Sequence, residues 1–321
     1  MNLRITIIIM ALLITVSPAV AKHPNVTRKK ESIYVDGVKR RFTVCIPSDC
    51  RNMSVPLVIV LHGAMGNGWF AEYDSQMTPK AQKEHFIVAY PNGTGLFRRF
   101  FLTWNVGPCS GSGWKKVDDL GFIRKMIEVL ENEYDINPNR IYVTGLSNGG
   151  MLAYRIAAEM PELVAAISPV SCCMYGAPDE VTSPVSVMAF HGIKDRVIPY
   201  NGGDGSFYGY RIKTRPVIEG VEYWVRRDRC NPVPNHEEIG SVTEEIYDGG
   251  ADNTEVCLYI IKNGGHAWPG GKSIAPLAGR PVKCLCATDL MWDFFCKHSK
   301  QHGGETAISL SRSIKCSSDL Q

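Results

Sequence analysis

Ser147, Asp195 and His266 supply a hydroxyl, a carboxylate and an imidazole, the parts needed for nucleophilic attack on a carbonyl carbon. Ser147 stands in Gly145-Leu146-Ser147-Asn148-Gly149. An apolar run, Ile141-Tyr142-Val143, precedes it, and a helical pattern from Met151 to about Met160 follows. This order of strand, glycine turn and helix suits a serine held in a strained backbone conformation. At the start of a helix, backbone N–H groups and the helix dipole favour developing negative charge.

A serine hydroxyl is a poor nucleophile at neutral pH. It needs a base within hydrogen-bond reach, and the base needs a carboxylate to fix its tautomer and stabilise its charged form. One known arrangement of a serine on such a glycine elbow places the acid and then the histidine later in the chain. Asp195 follows a strand ending at Phe190, in His191-Gly192-Ile193-Lys194-Asp195. Asp179 and Asp204 lie in less suitable contexts. Of eight histidines, His266 alone combines a preceding strand, a Gly264-Gly265 turn and the right order. His62 and His191 stand at strand ends but precede the nucleophile or the acid, and read as structural. The oxyanion of the tetrahedral intermediate needs two N–H donors. Asn148, next after the nucleophile, offers one, and Ala64, in the glycine-rich loop after Leu57–Leu61, offers the other.

The elements that position these residues alternate. Ser32 to Ile46 reads as a hairpin turning at Asp36-Gly37, and Leu57–Leu61 and Phe86–Tyr90 as strands. Ala71 to Glu84 reads as a helix interrupted near Pro79, and Asp118 to Tyr134 as an amphipathic one. Strands follow at Leu163–Ile167, Pro184–Phe190, Val242–Tyr247 and Val256–Ile261, with helices at Pro216–Arg229 and Ala287–His298. Thr94 to Lys116 is a long loop, a form often tied to function. The alternation predicts a single α/β domain with a mostly parallel central sheet and helices on both faces. Ligands of such sheets bind at the carboxyl ends of the strands.

Hydrophobic and charged fractions of 45% and 21% suit a globular protein, and a net charge of +3 from scattered residues argues against a nucleic-acid surface. Residues 1–21 carry a short basic start, an apolar run and Ala19-Val20-Ala21, the pattern of a cleaved secretory signal. The mature chain is then expected to begin near Lys22, to be secreted (extracellular or periplasmic) and to hold no membrane anchor. The 11 cysteines all lie beyond the signal, and their number points to disulfides, without fixing the pairing. No spacing suits a metal. Asn25, Asn52 and Asn92 head glycosylation sequons. Residues 22–300 are expected to form the domain and 301–321 a flexible tail.

The chain resembles the secreted esterase family that includes polyhydroxybutyrate depolymerases and feruloyl esterases, of the α/β-hydrolase fold. The resemblance runs from about Ile33 to His298. It rests on Leu61-His62-Gly63, Thr103-Trp104-Asn105, Val117-Asp118-Asp119-Leu120-Gly121-Phe122-Ile123, Gly145 to Gly150, His191-Gly192 with Asp195, Pro199-Tyr200-Asn201-Gly202-Gly203, Tyr223-Trp224 leading to Cys230, and Gly264-Gly265-His266-Ala267-Trp268-Pro269-Gly270. It implies that Ser147 is nucleophile, Asp195 orienting acid and His266 base, with no metal or organic cofactor. It further implies an ester substrate, of hydroxyalkanoates or of acyl groups on plant cell-wall polysaccharide. Trp104 and Trp268 are then expected against the acyl chain or ring, and Cys230 and Cys257 as a disulfide. No stretch reads as an attached polymer-binding module, so soluble oligomers or small esters are the expected substrates. Rival readings are a serine peptidase of the same fold and a non-catalytic binding protein on a hydrolase scaffold.

Overall fold

The computed structural model describes residues 23–50, 53–95, 101–107, 117–176, 183–207, 209–273 and 279–300. The expected signal at 1–21 and tail at 301–321 lie outside them, as does Asn52.

In chain order the strands are β1 (Val26–Val35), β2 (Val38–Pro47), β3 (Val55–Leu61), β4 (Ile87–Pro91), β5 (Thr94–Gly95), β6 (Leu102–Thr103), β7 (Ile136–Leu146), β8 (Ala166–Val170), β9 (Ser186–Gly192), β10 (Gly203–Phe207), β11 (Tyr210–Thr214), β12 (Asn235–Ile239), β13 (Val242–Tyr247) and β14 (Val256–Ile261). The helices are α1 (Gly68–Ser75), α2 (Met77–Glu84), α3 (Asp119–Glu133), α4 (Asn148–Glu159), α5 (Val217–Arg227) and α6 (Ala287–Lys297). Ten strands form one sheet in the order β1-β2-β4-β3-β7-β8-β9-β14-β13-β12. From β4 to β14 neighbouring strands run parallel, and antiparallel strands close both edges.

β3 shows why the sheet is covered on both faces. All seven of its residues are buried. Leu57, Ile59 and Leu61 face a layer built with Phe122, Leu152 and Trp224 of α3, α4 and α5. Val58 and Val60 face a second layer with Met77, Met291, Trp292 and Phe295 of α2 and α6. Strand side chains alternate between faces, so an unbroken apolar run is what a doubly covered sheet requires.

The expected helix over Ala71–Glu84 is two helices, broken at Gln76, whose φ is 54°. Pro79 sits in the first turn of α2, where its missing N–H costs nothing. Pro161–Leu163 forms a 3-10 turn, which moves β8 three residues beyond the expected start.

Candidate active site

Because β3, β7, β8, β9 and β14 are parallel, the loops leaving their carboxyl ends share one edge of the sheet. Ala64 follows β3, Ser147 follows β7, Asp195 follows β9 and His266 follows β14. Ser147 links β7 directly to α4 at φ 56° and ψ −120°. That left-handed conformation costs a residue with a side chain on the order of 1–3 kcal/mol, and surrounding structure must hold it. The Ser147 N–H donates to Val170 O at 2.8 Å, and the Ser147 carbonyl accepts the first helical bond from Met151 at 2.9 Å. The flanking glycines are needed for close approach. A Cβ on Gly145 would lie 2.6 Å from the Gly149 carbonyl carbon, and one on Gly149 would strike the Leu61 carbonyl. Asn148 is the first residue of α4, among the N–H groups that have no intrahelical acceptor.

Asp195 and His266 meet. His266 Nδ1 lies 2.7 Å from Asp195 Oδ2, and both side chains are buried. The other carboxylate oxygen accepts the N–H groups of Val197 and Ile198 at 2.8 and 2.9 Å. These bonds fix the carboxylate plane and leave Oδ2 for the imidazole. A donor at Nδ1 leaves Nε2 as the basic nitrogen of His266. The histidine loop is tied to the serine side of the site through β8. Val170 accepts from Ser147, and the hydroxyl of the next residue, Ser171, donates to Ala267 O at 3.4 Å. Ser171 is itself left-handed, with φ 48°.

His191 packs beside Asp195, its Nε2 3.6 Å from Oδ2, but bonds to Ile198 O at 2.8 Å. Burial lowers its basicity, which suits a neutral structural ring. His62 is likewise structural. Its Nδ1 bonds to Gly63 O at 2.8 Å and its Nε2 accepts the Gly93 N–H at 3.0 Å. Burial, the largest cause, pushes its pKa down to about 4. A neutral ring that donates at one nitrogen and accepts at the other thus shapes the loop carrying Ala64. Met65 N–H donates to Leu102 O at 2.7 Å and Gly66 N–H to Gly63 O at 3.1 Å in the same loop.

Trp104 and Trp268, expected against substrate, are each only 1% exposed. Trp104 lies at 4.7 Å from the His62 ring and donates its indole N–H to His62 O at 2.9 Å. Trp268 donates to Thr288 Oγ1 at 2.9 Å, and that hydroxyl donates to Ser75 O at 2.6 Å. Both rings are packed within the fold and present no face to a ligand. The expected Cys230–Cys257 disulfide is also absent, and both residues are thiols. Val256 and Leu258 of β14 face the layer that contains Cys230, so Cys257 between them faces the opposite layer. Asn92 of the third sequon is already engaged, accepting from Gly68 N–H at 2.9 Å and donating to Arg41 O at 3.3 Å.

The scaffold roles of three side chains, Asn148, Asp119 and Arg40, escaped the sequence reading. The Asn148 side chain accepts from Thr103 Oγ1 at 2.9 Å and from Trp104 N–H at 2.7 Å. Asp119 accepts the Asn105 N–H at 2.7 Å and pairs with Arg40 at 2.5 Å, both charged side chains being fully buried. Burial nonetheless raises the Asp119 pKa, outweighing Arg40. Arg40 carried a signal: it falls two residues before Phe42, Val44 and Ile46, on their inward face. A charge at an inward strand position calls for a buried partner.

The family model described as esterase PHB depolymerase matches residues 41–201, a span that holds Ala64, Ser147 and Asp195. Feruloyl esterase B of Piromyces equi is 28% identical over 241 residues, 73% of this chain and 44% of that one. The chain thus spans less than half of that relative's length. Feruloyl esterase C of Emericella nidulans is 26% identical over 289 residues, covering 87% of this chain and 90% of that one. Among solved structures, an acetyl xylan esterase from Aspergillus awamori aligns with a TM-score of 0.60 at 16% identity, over 84% of this chain and 99% of that one. That likeness is one of fold, and the fold is of the α/β-hydrolase type. With more than half of its residues under the family model, this chain belongs to the esterase PHB depolymerase family.

Proposed function

We propose that the chain is a secreted serine esterase acting on feruloyl or acetyl esters of plant polysaccharide, or on hydroxyalkanoate esters. The observation that carries this reading is the 2.7 Å Asp195–His266 pair on the same sheet edge as the left-handed Ser147. In this mechanism Ser147 Oγ attacks the ester carbonyl carbon while His266 Nε2 takes its proton. The carbonyl oxygen becomes an oxyanion held by the N–H groups of Asn148 and Ala64, each such donor being worth about 10²–10³ in rate. Asp195 stabilises the imidazolium. The C–O bond to the alcohol then breaks, and His266 returns the proton to that alcohol. Water, deprotonated by His266, attacks the acyl-enzyme, and the acid leaves with Ser147 restored.

The names of the related esterases and the apolar signal at residues 1–21 support the substrate range and the export. No helix among the described residues is long and apolar enough to cross a membrane. Hydrolysis of p-nitrophenyl acetate and butyrate, with Ser147→Ala as control, tests the reading. Turnover lost in the variant supports it, and no turnover, or turnover indifferent to the substitution, removes it. Relative rates on methyl ferulate, acetylated xylan and hydroxybutyrate oligomers then rank the substrates. N-terminal sequencing of exported protein tests a start at Lys22.

A further inference from the structure

The helix α1 is clamped between two loops of the candidate site. At its start, Asn67 of the loop carrying Ala64 caps it, the Asn67 side chain accepting Phe70 N–H at 3.1 Å. At its end, the loop carrying His266 grips it: Lys272 N–H donates to Asp74 O at 3.0 Å, and Gly271 packs against the same carbonyl. α1 therefore lines the rim between an expected oxyanion donor and the expected base.

Two aromatic residues four apart on α1 share one face. Trp69 stacks on Tyr73 with ring centroids 5.6 Å apart and planes 16° apart, and Phe70 meets Trp69 edge-on at 5.3 Å. The exposed Lys272 places its ammonium 5.5 Å from the Tyr73 ring centre. Unlike Trp104 and Trp268, Trp69, Phe70 and Tyr73 are all only partly buried. A half-exposed aromatic surface suits a ligand that is apolar on its face and polar at its edge. A pyranose ring has that form: its axial C–H bonds pack on the π face while its hydroxyls stay in water. A wholly apolar acyl chain would gain more from an enclosed slot.

We infer that Trp69, backed by Tyr73 with Lys272 over the Tyr73 ring, forms a sugar-binding platform that seats the glycosyl part of a polysaccharide ester at the rim of the candidate site. The inference rests on the esterase reading for its purpose but not for its test. Full-length chain carrying Ser147→Ala is titrated with a linear xylo-oligosaccharide by calorimetry. Adding Trp69→Ala or Tyr73→Ala is expected to weaken binding by about tenfold each, the scale of one lost aromatic contact. Tyr34→Ala, at an exposed aromatic on β1, is expected to leave the affinity unchanged. Should Trp69→Ala melt early, Trp69→Leu keeps the bulk while removing the π face, and the same loss is expected. No saccharide binding, or binding indifferent to these substitutions in variants that melt like the parent, overturns the platform. Turnover of p-nitrophenyl acetate by the unsubstituted chain, measured alongside, separates the two readings. Turnover without saccharide binding removes the platform alone, and Trp69-dependent binding without turnover removes the esterase reading alone.

Discussion

The side chain of Asn148 accepts the backbone N–H of Trp104 at 2.7 Å, joining the first residue of α4 to the 101–107 segment. The same oxygen accepts from Thr103 Oγ1, and Trp104 in turn donates to His62 O. One residue after the expected nucleophile, Asn148 is thus proposed to contribute twice: its N–H to the oxyanion, and its carboxamide to holding the segment that bonds to His62 O, beside the proposed donor Ala64.

Asn148→Ala keeps the backbone donor and deletes the one side-chain oxygen that accepts both bonds, along with the amide that donates to Trp104 O at 3.5 Å. Each lost bond is worth about 1 kcal/mol net. The expected outcome is a kcat lower by about tenfold on p-nitrophenyl butyrate, with a melting temperature lower by a few degrees. Unchanged kcat in the variant would show that the 101–107 loop does not position the site.

Asp195→Asn reverses the hydrogen-bond demand at the imidazole. An amide nitrogen facing Nδ1 favours the tautomer whose proton sits on Nε2, where the serine proton must go. A comparable change in a serine triad lowers kcat by about 10⁴-fold. A fall of that order is expected here, with binding of substrate little changed. A loss under about tenfold would assign the carboxylate to loop structure, through its bonds to Val197 and Ile198, and not to the base.

His62 makes stability pH-dependent. Burial holds its folded pKa near 4, below the unfolded value of about 6.5. The unfolded chain therefore binds the extra proton first, and stability present above pH 6.5 is lost as pH falls toward 4. His191, shifted the same way, adds to the slope. The full loss attributable to His62 is about 3 kcal/mol. Urea unfolding at pH 7, 6 and 5 measures it, and His62→Gln is expected to flatten the slope. Because Asp228, raised by burial to about 7, opposes this slope in both proteins, the test is the difference between them, and a slope that His62→Gln leaves unchanged would contradict the assignment.

Thiol labelling of protein unfolded without reductant is expected to modify both Cys230 and Cys257. A peptide pair linked through these residues would contradict the face assignment of β14.

Part of the candidate site was legible because the fold expected from the glycine elbow carries its acid and base in a set chain order. Ser147, Asp195 and His266 stand after parallel strands, in the sequence expected, and the structure joins Asp195 to His266. β13 and β14 have the expected bounds, Val242–Tyr247 and Val256–Ile261. Elements without an apolar face were missed: every residue of β12 is exposed, and it is an edge strand of Asn, His and Glu ending in Ile239. The β10–β11 hairpin is likewise polar and glycine-rich, and it lies outside the main sheet. The two tryptophans were misassigned because residue type and loop position do not reveal burial. Trp104 and Trp268 sit in loops, yet their indole N–H groups find His62 O and Thr288 Oγ1 within the fold. The disulfide was misassigned because the layer that holds Cys230 emerges only in the fold. Val256, Cys257 and Leu258 alternate along a strand, and parity alone puts the thiol on the other face from its neighbours.

The central claim is that Ser147 is the nucleophile, and a fluorophosphonate probe addresses it without any choice of substrate. The probe's phosphorus takes the place of the ester carbonyl carbon and loses fluoride to a serine activated by its base. Peptide mapping after labelling is predicted to place one adduct on Ser147, with labelling abolished in Ser147→Ala and His266→Ala. An adduct on another serine, or no adduct in folded protein, would contradict the account.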